Sequence, residues 1–393
     1  MPFALDEVRK LGRSGHETFA SDTFSFAPGG WSRFVSRRFE TPSPRRAPLR
    51  FLEAVKRIVR QHSVELILPA FEEALLLARH VAELGTRLFA PSFETLHMLH
   101  HKVSFVELAR KLDLRAPRTT VIENASALRD AVRRHETYLA RPALSRGGVD
   151  LLTNRGPLAG ALPIEECQPT PQNPWILQPF VEGIDVCTFG IARRGALTAH
   201  VTYVHPREIE HSGGIVFESV HEPAALEITK RLVEATNYDG QISLDLMLTR
   251  EGYVVIECNP RPTCGVCLLD DDEFCHAVFD APGQAPFVAP AGRARKLVMA
   301  LVRDMLLHSS SARLDLPHLR SSARDLYAEP GDWMPSLLQV LSYGHVLTSR
   351  AWRSGPHRPR TLLTRGYLED VSWNWPISPS LVETAPSAFS SPD

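Results

Sequence analysis

Three oxygen-bearing side chains lie close together in YDGQISLDLMLTREGYVVIECNPRPTCG, the stretch from Tyr238 to Gly265: Asp245, Glu257 and Asn259. Gln241 to Leu248 and Gly252 to Glu257 are short runs rich in Ile, Leu and Val, joined by a Thr-Arg-Glu-Gly turn, which predicts a hairpin. Strand alternation puts Glu257 and Asn259 on one face, and antiparallel pairing brings Asp245 opposite them. Two carboxylates and an amide converging near a strand end make an all-oxygen site. Such a site suits a hard cation such as Mg²⁺, together with phosphate oxygens. Arg261 follows after one proline, and its planar, permanently charged fork fits a phosphate or a carboxylate. The plainer readings are a hairpin with a solvated face, and for Arg261 a structural salt bridge.

The elements that must hold these groups follow from periodicity. Residues 1–92 read as an α/β unit. It has helices over Leu5 to Leu11, Leu49 to His62 and Phe71 to Gly85, and strands at Thr18 to Ala20, Val64 to Pro69 and Leu88 to Ala90. A parallel α/β domain normally opens with a strand, yet a helix comes almost first here. Either that strand is missing or it is contributed differently, which leaves the domain incomplete at its edge. Helices are expected over Phe93 to Leu112 and Ala125 to His135. From Tyr138 the pattern turns antiparallel, with strands at Tyr138 to Ala143, Val149 to Leu152 and Trp175 to Phe180. A further hairpin is expected across Arg193-Arg194-Gly195, then a helix from Pro223 to Thr236. Beyond a Pro-rich linker at 282–290, a helix is expected from Gly292 to Leu307, and residues 376–393 read as a mobile tail.

Composition excludes several classes. The chain has 393 residues, with 44 Lys and Arg against 45 Asp and Glu, so neither disorder nor a general nucleic-acid surface follows. Its apolar runs are too short and too often broken by charge to cross a bilayer, and no signal peptide is legible, so a cytoplasmic location is expected. Six cysteines are too sparse for a disulfide scaffold; Cys264-x-x-Cys267 reads as buried thiols beside a sheet.

The order of these pieces resembles the ATP-grasp superfamily over roughly residues 1–280. The carriers are a Lys before a helix (HHKVSF), a strand followed by a Ser/Gly loop (TYLARPALSRGGV), an ILQPFVEG strand end, and Asp245 followed by IECNPRP, near the family's Glu-x-Asn-x-Arg pattern. The pattern is similar to the ATP-binding domains of carbamoyl-phosphate synthase and biotin carboxylase. The resemblance implies an α+β fold. An N-terminal α/β parallel-sheet domain (1–92) would be followed by two ATP-grasp subdomains (93–280, with 138–182 as the nucleotide lid), a C-terminal extension (281–375) and the tail.

It also implies roles. Asp245, Glu257 and Asn259 fall on the metal-ligand positions, for Mg²⁺ or Mn²⁺ beside ATP. Lys102 resembles the first nucleotide-contacting cation, although His101 stands where the family has Asp. Arg141 stands where the family has Lys, keeping the charge on a longer, planar group. Ser145, Gly147 and Gly148 resemble the phosphate-covering loop. Gln178, Pro179, Phe180 and Val181 would line the adenine, with Glu182 or Asp185 at the ribose. Arg261 and Arg141 would steady the transferring phosphate. On the substrate side, Arg207, His211, Ser212 and Glu218 fall where the family meets its acceptor, and Glu72 and Glu73 follow a parallel strand, where open α/β sheets place ligand contacts.

The implied activity is a carboxylate–amine ligase that activates a small-molecule carboxylate as an acyl phosphate for attack by an amine. Neither nucleic acid nor membrane is an expected partner, and a homo-oligomer is compatible. Two other readings are a degenerate ATP-grasp protein that binds nucleotide without turnover, to which Arg141 and His101 point, and a non-enzymatic scaffold.

Overall fold

The computed structural model describes residues 1–145, 150–209, 213–283 and 285–353. The N-terminal region runs α1 (Pro2–Arg13), β1 (Thr18–Asp22), β2 (Val35–Glu40), α2 (Pro48–His62), β3 (Leu66–Ile67), α3 (Glu73–Arg79), α4 (Val81–Leu84) and β4 (Arg87–Leu88). β1 pairs with β2 and β3 with β4, both in parallel, as two separate two-stranded sheets. Two expectations shrink here. The apolar run 64–69 yields only the two residues of β3, which has a ladder on one side alone, and the helix expected over 71–85 is interrupted at His80.

Next come α5 (Phe93–His100) and α6 (Lys102–Lys111), where a single helix was expected. The break is specific. His101 is extended (φ −80°, ψ 110°), and the Lys102 amide donates to the carbonyl of Ala143 at 3.1 Å instead of continuing the helical ladder. Lys102 thereby becomes the first residue of a helix. A cation at that end is opposed by the helix dipole unless an anion lies close by.

A four-stranded antiparallel sheet follows, in the order β5 (Thr120–Ile122), β8 (Trp175–Gln178), β6 (Leu139–Pro142), β7 (Leu152–Thr153), with α7 (Ala125–Arg133) packed on it. Asn124 caps α7 by accepting from the Ala127 amide at 2.9 Å.

The largest sheet has eight strands: β9 (Ile184–Arg193), β10 (Ala196–Glu208), β11 (Gly214–Val220), β12 (Gly240–Thr249), β13 (Gly252–Asn259), β14 (Phe287–Val288), β15 (Ala294–Lys296) and β16 (Arg324–Asp325). Its order is β13-β12-β9-β10-β11-β15-β16, with β14 beside β10. The expected hairpin at Arg194-Gly195 forms, with both residues at positive φ (51° and 78°), as a two-residue turn matched to strand twist requires. α1 and α9 (Asp271–Phe279) cover one face through Phe3, Phe274 and Val278, packed on Phe189, Val201 and Phe217. α5, α6 and α8 (Pro223–Ala235) cover the other through Leu99, Phe105 and Leu232, on Ile242, Leu244 and Val255.

Residues 294–296, expected as the start of a helix, form β15 on the free side of β11; the helix, α10 (Val298–Leu307), begins after it. Two helices complete the described chain, α11 (Ala312–Arg320) and α12 (Met334–Arg353). The region beyond 281 is thus woven into the main sheet. Arg9 of α1 fastens it from the other end. Its buried guanidinium donates to Asp332 Oδ2 (2.8 Å) and to the carbonyls of Leu326 (3.0 Å) and Tyr327 (2.8 Å). All six cysteines are free; Cys267 is buried against the sheet as expected, whereas Cys264 is only partly buried. Among the described residues, no helix is long and apolar enough to cross a membrane.

Candidate functional site

The β12–β13 hairpin sets the acidic corner. Its register pairs Asp245 with Glu257 and Ser243 with Asn259, so the three side chains that the sequence grouped share one region of the sheet. Asn259 Nδ2 donates to Asp245 Oδ2 at 3.1 Å. Asp245 is followed by a register shift: Leu246 pairs with Val255, and Ile256 has no partner in the ladder. Such a bulge releases a backbone group for other use. The Ile256 carbonyl takes it up, accepting from Arg141 Nη2 at 3.2 Å.

Two cations converge on Glu257. Arg141, from β6 in the four-stranded sheet, donates through Nη1 to Glu257 Oε2 at 2.6 Å. Lys102 Nζ lies 3.4 Å from the same oxygen and donates to the Ser145 carbonyl at 2.6 Å. The anion that a lysine at a helix N-terminus requires is therefore Glu257. Burial alone would raise the Glu257 carboxyl, but Lys102 and Arg141 outweigh it and hold the group below its usual range. Asp245 goes the other way. Burial, reinforced by the neighbouring Glu257 charge, pushes it up to about 7. The two carboxylates are thus set apart by which of them the cations reach.

Arg261 sits at the far side of Asn259, donating to Asn259 Oδ1 at 3.0 Å and stacking over the Phe71 ring at 4.3 Å. That contact brings the loop after β3 to the site. Arg141 Nε and Arg261 Nε are both buried and have no hydrogen-bond partner among the described residues. Two orphaned guanidinium N–H groups beside an acidic corner suit an anionic ligand with several oxygens. The donor set also suits a divalent cation: two carboxylates lie together beside the Asn259 amide, and Asp245 is pushed up because no further positive charge reaches it.

Other expected residues fall as follows. Ser145 is buried and its hydroxyl donates to the Pro142 carbonyl at 2.9 Å. Gly147 and Gly148, with Arg146, lie outside the described residues, as do His211 and Ser212. Gln178 is buried at the end of β8 with its amide donating to Thr119 Oγ1 at 2.9 Å, so its backbone is what a ligand could meet. Pro179 is exposed, Phe180 and Val181 half-buried, and Glu182 and Asp185 exposed. Gly183 follows tightly, since a Cβ there would stand 2.5 Å from the Leu248 carbonyl oxygen.

The substrate-side expectations do not gather. Arg207 is held by Asp304 (2.6 Å) and Asp315 (2.5 Å), which fasten β10 to α10 and α11. Glu218 is exposed on β11 between Val204 and Ala294. Glu73 accepts from the amides of Ala70 (2.7 Å) and Phe71 (3.0 Å) and shapes its own loop. Glu72 is buried 3.8 Å from His100 Nε2.

Three contributors were not legible in the sequence. Cys187 Sγ donates to Asp245 Oδ1 at 3.4 Å, because β9 pairs with β12 in a register that sets the two residues side by side. Thr263 joins Ser243 (2.9 Å) to Tyr203 (3.1 Å) behind the corner. His101, in the place of the family's Asp, is pushed down to about 4 by burial, then by His97 and Lys102, so it is neutral beside the lysine.

Residues 100–265 match the family model of the ATP-grasp domain. The chain carries an ATP-grasp domain. That span includes Lys102, Arg141, Asp245, Glu257, Asn259 and Arg261. The large chain of carbamoyl phosphate synthase from Thermotoga neapolitana is 25% identical over 227 residues, which cover 53% of this chain and 20% of that protein. This chain therefore spans about a fifth of that relative's length. Among solved structures, biotin carboxylase from Campylobacter jejuni, a complex with β-γ-ATP, superposes with a TM-score of 0.57 at 13% identity, covering 72% of this chain and 70% of that one. N5-carboxyaminoimidazole synthetase from Staphylococcus aureus gives 0.58 at 11% identity, covering 79% and 83%. At such identities the structural likeness is one of fold: an α+β ATP-grasp architecture.

Proposed function

We propose that this ATP-grasp protein is an ATP-dependent ligase that activates a small-molecule carboxylate as an acyl phosphate, which an amine then attacks. One observation carries the reading. Asp245, Glu257 and Asn259 form a single oxygen-rich corner faced by Lys102 and Arg141, with guanidinium N–H groups left over. When bound there, Mg²⁺ (or Mn²⁺) would be held by those oxygens and would offset the charge of the nucleotide phosphates.

The chain's own residues would do the rest by position and charge. Lys102 and Arg141 would turn from Glu257 to phosphate oxygens, a change that replaces one anion by another. Arg261, anchored by Asn259 and Phe71, would present its free Nε–H to the transferring phosphate or the substrate carboxylate. The backbone at Gln178 to Val181 would read the adenine edge, and Glu182 the ribose. The described residues need supply no covalent nucleophile, because the barrier is lowered by alignment and by cations placed where negative charge develops. Glu72, buried near His100, directly follows Phe71, over whose ring Arg261 stacks, and is the substrate-side candidate we favour.

A second reading, nucleotide binding without turnover, has one observation in its favour: Arg141 clasps the carboxylate that a metal would need. Phosphate release from ATP, measured with Mg²⁺ across a panel of small carboxylates and amines, separates the two. The ligase reading expects release that depends on one carboxylate and forms its amide. ATP binding with no release for any pair would support the second reading.

A further inference from the structure

More than half of the large apolar side chains exposed among the described residues fall between positions 299 and 343. On α10 they include Met299, Val302 and Leu306, and on α12 Leu337, Val340 and Leu341. Each set is spaced at three and four residues and so forms one helical stripe. Other sides of the same helices are taken, since Leu301 and Asp304 of α10 and Leu338 of α12 are buried. The two stripes adjoin, because Arg303 of α10 lies over the Tyr343 ring of α12 at 5.5 Å. Leu306 is 80% exposed and Val340 58%. Apolar side chains scattered singly over a surface need no partner, but two adjoining stripes make a patch of the kind that marks an interaction surface.

The chain itself supplies a matching stretch. α12 ends at Arg353, and residues 361–375 read TLLTRGYLEDVSWNW. Leu363, Tyr367, Val371 and Trp375 recur every four residues, the spacing of a single apolar helical face. Glu369 and Asp370 outweigh Arg365 in charge, and α10 and its neighbour α11 carry Arg303 and Arg313. Reach is sufficient. The link from Ser354 to Arg360 contains Gly355, Pro356 and Pro359, residue types that favour a turn over a continued helix. Fully extended, a link of that length spans up to ~24 Å. Leu341 lies only ~18 Å back along α12 from Arg353.

We propose that the joint apolar face of α10 and α12 is the docking surface of the chain's own segment 361–375, with Leu363, Tyr367, Val371 and Trp375 as its contacts. A second copy of the chain could also bury an apolar face, but only at the concentration of the protein. A segment joined by so short a link meets the face at an effective concentration on the order of millimolar, whatever the protein concentration. The occupant with the matching pattern is also the one with the lowest entropic cost of arrival.

Amide hydrogen exchange on the full chain, at two protein concentrations about tenfold apart, tests the docking. Tyr367→Glu together with Val371→Glu should make amides 299–306 and 337–344 exchange at least about tenfold faster, with β9 and β12 unchanged. Thr364→Glu together with Ser372→Glu adds the same charge but keeps every residue of the four-residue repeat, and should leave both helices as they are. Val340→Glu, on the face itself, should in turn quicken exchange across 361–375. Unchanged exchange in α10 and α12 with the Tyr367 and Val371 pair overturns the proposal. Equal acceleration by the Thr364 and Ser372 pair also overturns it, because added charge and not lost contact is then the cause. Protection of the two helices that strengthens with protein concentration in the parent assigns the face to a second copy, and the intramolecular docking falls.

Discussion

Asp245, Glu257 and Asn259 sit on strands hydrogen-bonded to each other and, through β12, to β9 in the middle of an eight-stranded sheet. Lys102 and Arg141 reach the same corner from outside that sheet, one from the first residue of α6 and one from β6 of the four-stranded sheet. The acidic wall is fixed by backbone ladders. The cationic wall is fixed largely by the charge it meets, Glu257, and by two carbonyls, those of Ser145 and Ile256. What ladders hold stays in place when a ligand arrives. What a single carboxylate holds can be transferred to another anion. On this account the cationic wall changes partners in each catalytic cycle while the acidic wall serves as its fixed reference.

Removing the shared anion should have the largest effect. Glu257→Gln takes away a metal ligand and the counter-charge of both cations, and ATP-dependent phosphate release should fall on the order of 10³-fold. The hairpin ladder does not involve the side chain, so the far-UV circular dichroism of the variant should match the parent. Turnover within a factor of two of the parent would mean that neither the metal nor the two cations depend on Glu257.

Lys102→Met should come next. The side chain is only 4% exposed, and exchanging its ammonium for a thioether leaves buried Glu257 with less counter-charge, so the melting temperature should fall by a few degrees while the protein still folds. ATP affinity should nevertheless drop by about tenfold or more, as expected for a charge-assisted contact of roughly 1.5–3 kcal/mol. A large fall in melting temperature with unchanged affinity would mean that Lys102 belongs to the scaffold. Arg141→Lys is the milder counterpart. It keeps the charge but cannot hold Glu257 and the Ile256 carbonyl together, so stability should fall by about 1 kcal/mol in denaturant titrations.

The smallest effect concerns the sheet behind the acidic wall. His200 on β10 is 1% exposed, and burial pushes its imidazole down to about 3 from an ordinary value of 6.5. The unfolded chain binds that proton below about pH 6.5 while the folded chain does not until about pH 3. Its contribution to stability is therefore complete above pH 6.5 and is lost as pH falls towards 3. A His200→Gln variant should show a shallower decline of melting temperature over that window than the parent. Parallel curves would remove His200 from the acid sensitivity of the sheet.

How far the sequence reveals each wall follows from the same difference. The acidic wall is local. Asp245 and Glu257 lie on adjacent strands of one hairpin, and a period of two is enough to align them. The cationic wall depends on contacts distant in sequence. Arg141 reaches a carboxylate 116 residues away, and Lys102 gains its place through a helix break that the Ala143 carbonyl imposes. Apolar spacing from Phe93 to Leu112 gives no sign of that break. Arg207 shows the converse: polar density around it suggests a ligand, whereas Asp304 and Asp315, about a hundred residues on, use it to fasten helices. The residues at 294–296 read as helix because their neighbours do, and they become strand because β11 offers an open edge.

Calorimetric titration of ATP into the parent protein and Glu257→Gln, each with Mg²⁺ and with a chelator, tests the central claim most directly. Mg²⁺ should tighten ATP binding to the parent by at least about tenfold and have little effect on the variant. Equal ATP affinity with and without Mg²⁺ in the parent, or an undiminished Mg²⁺ effect in the variant, would contradict the claim.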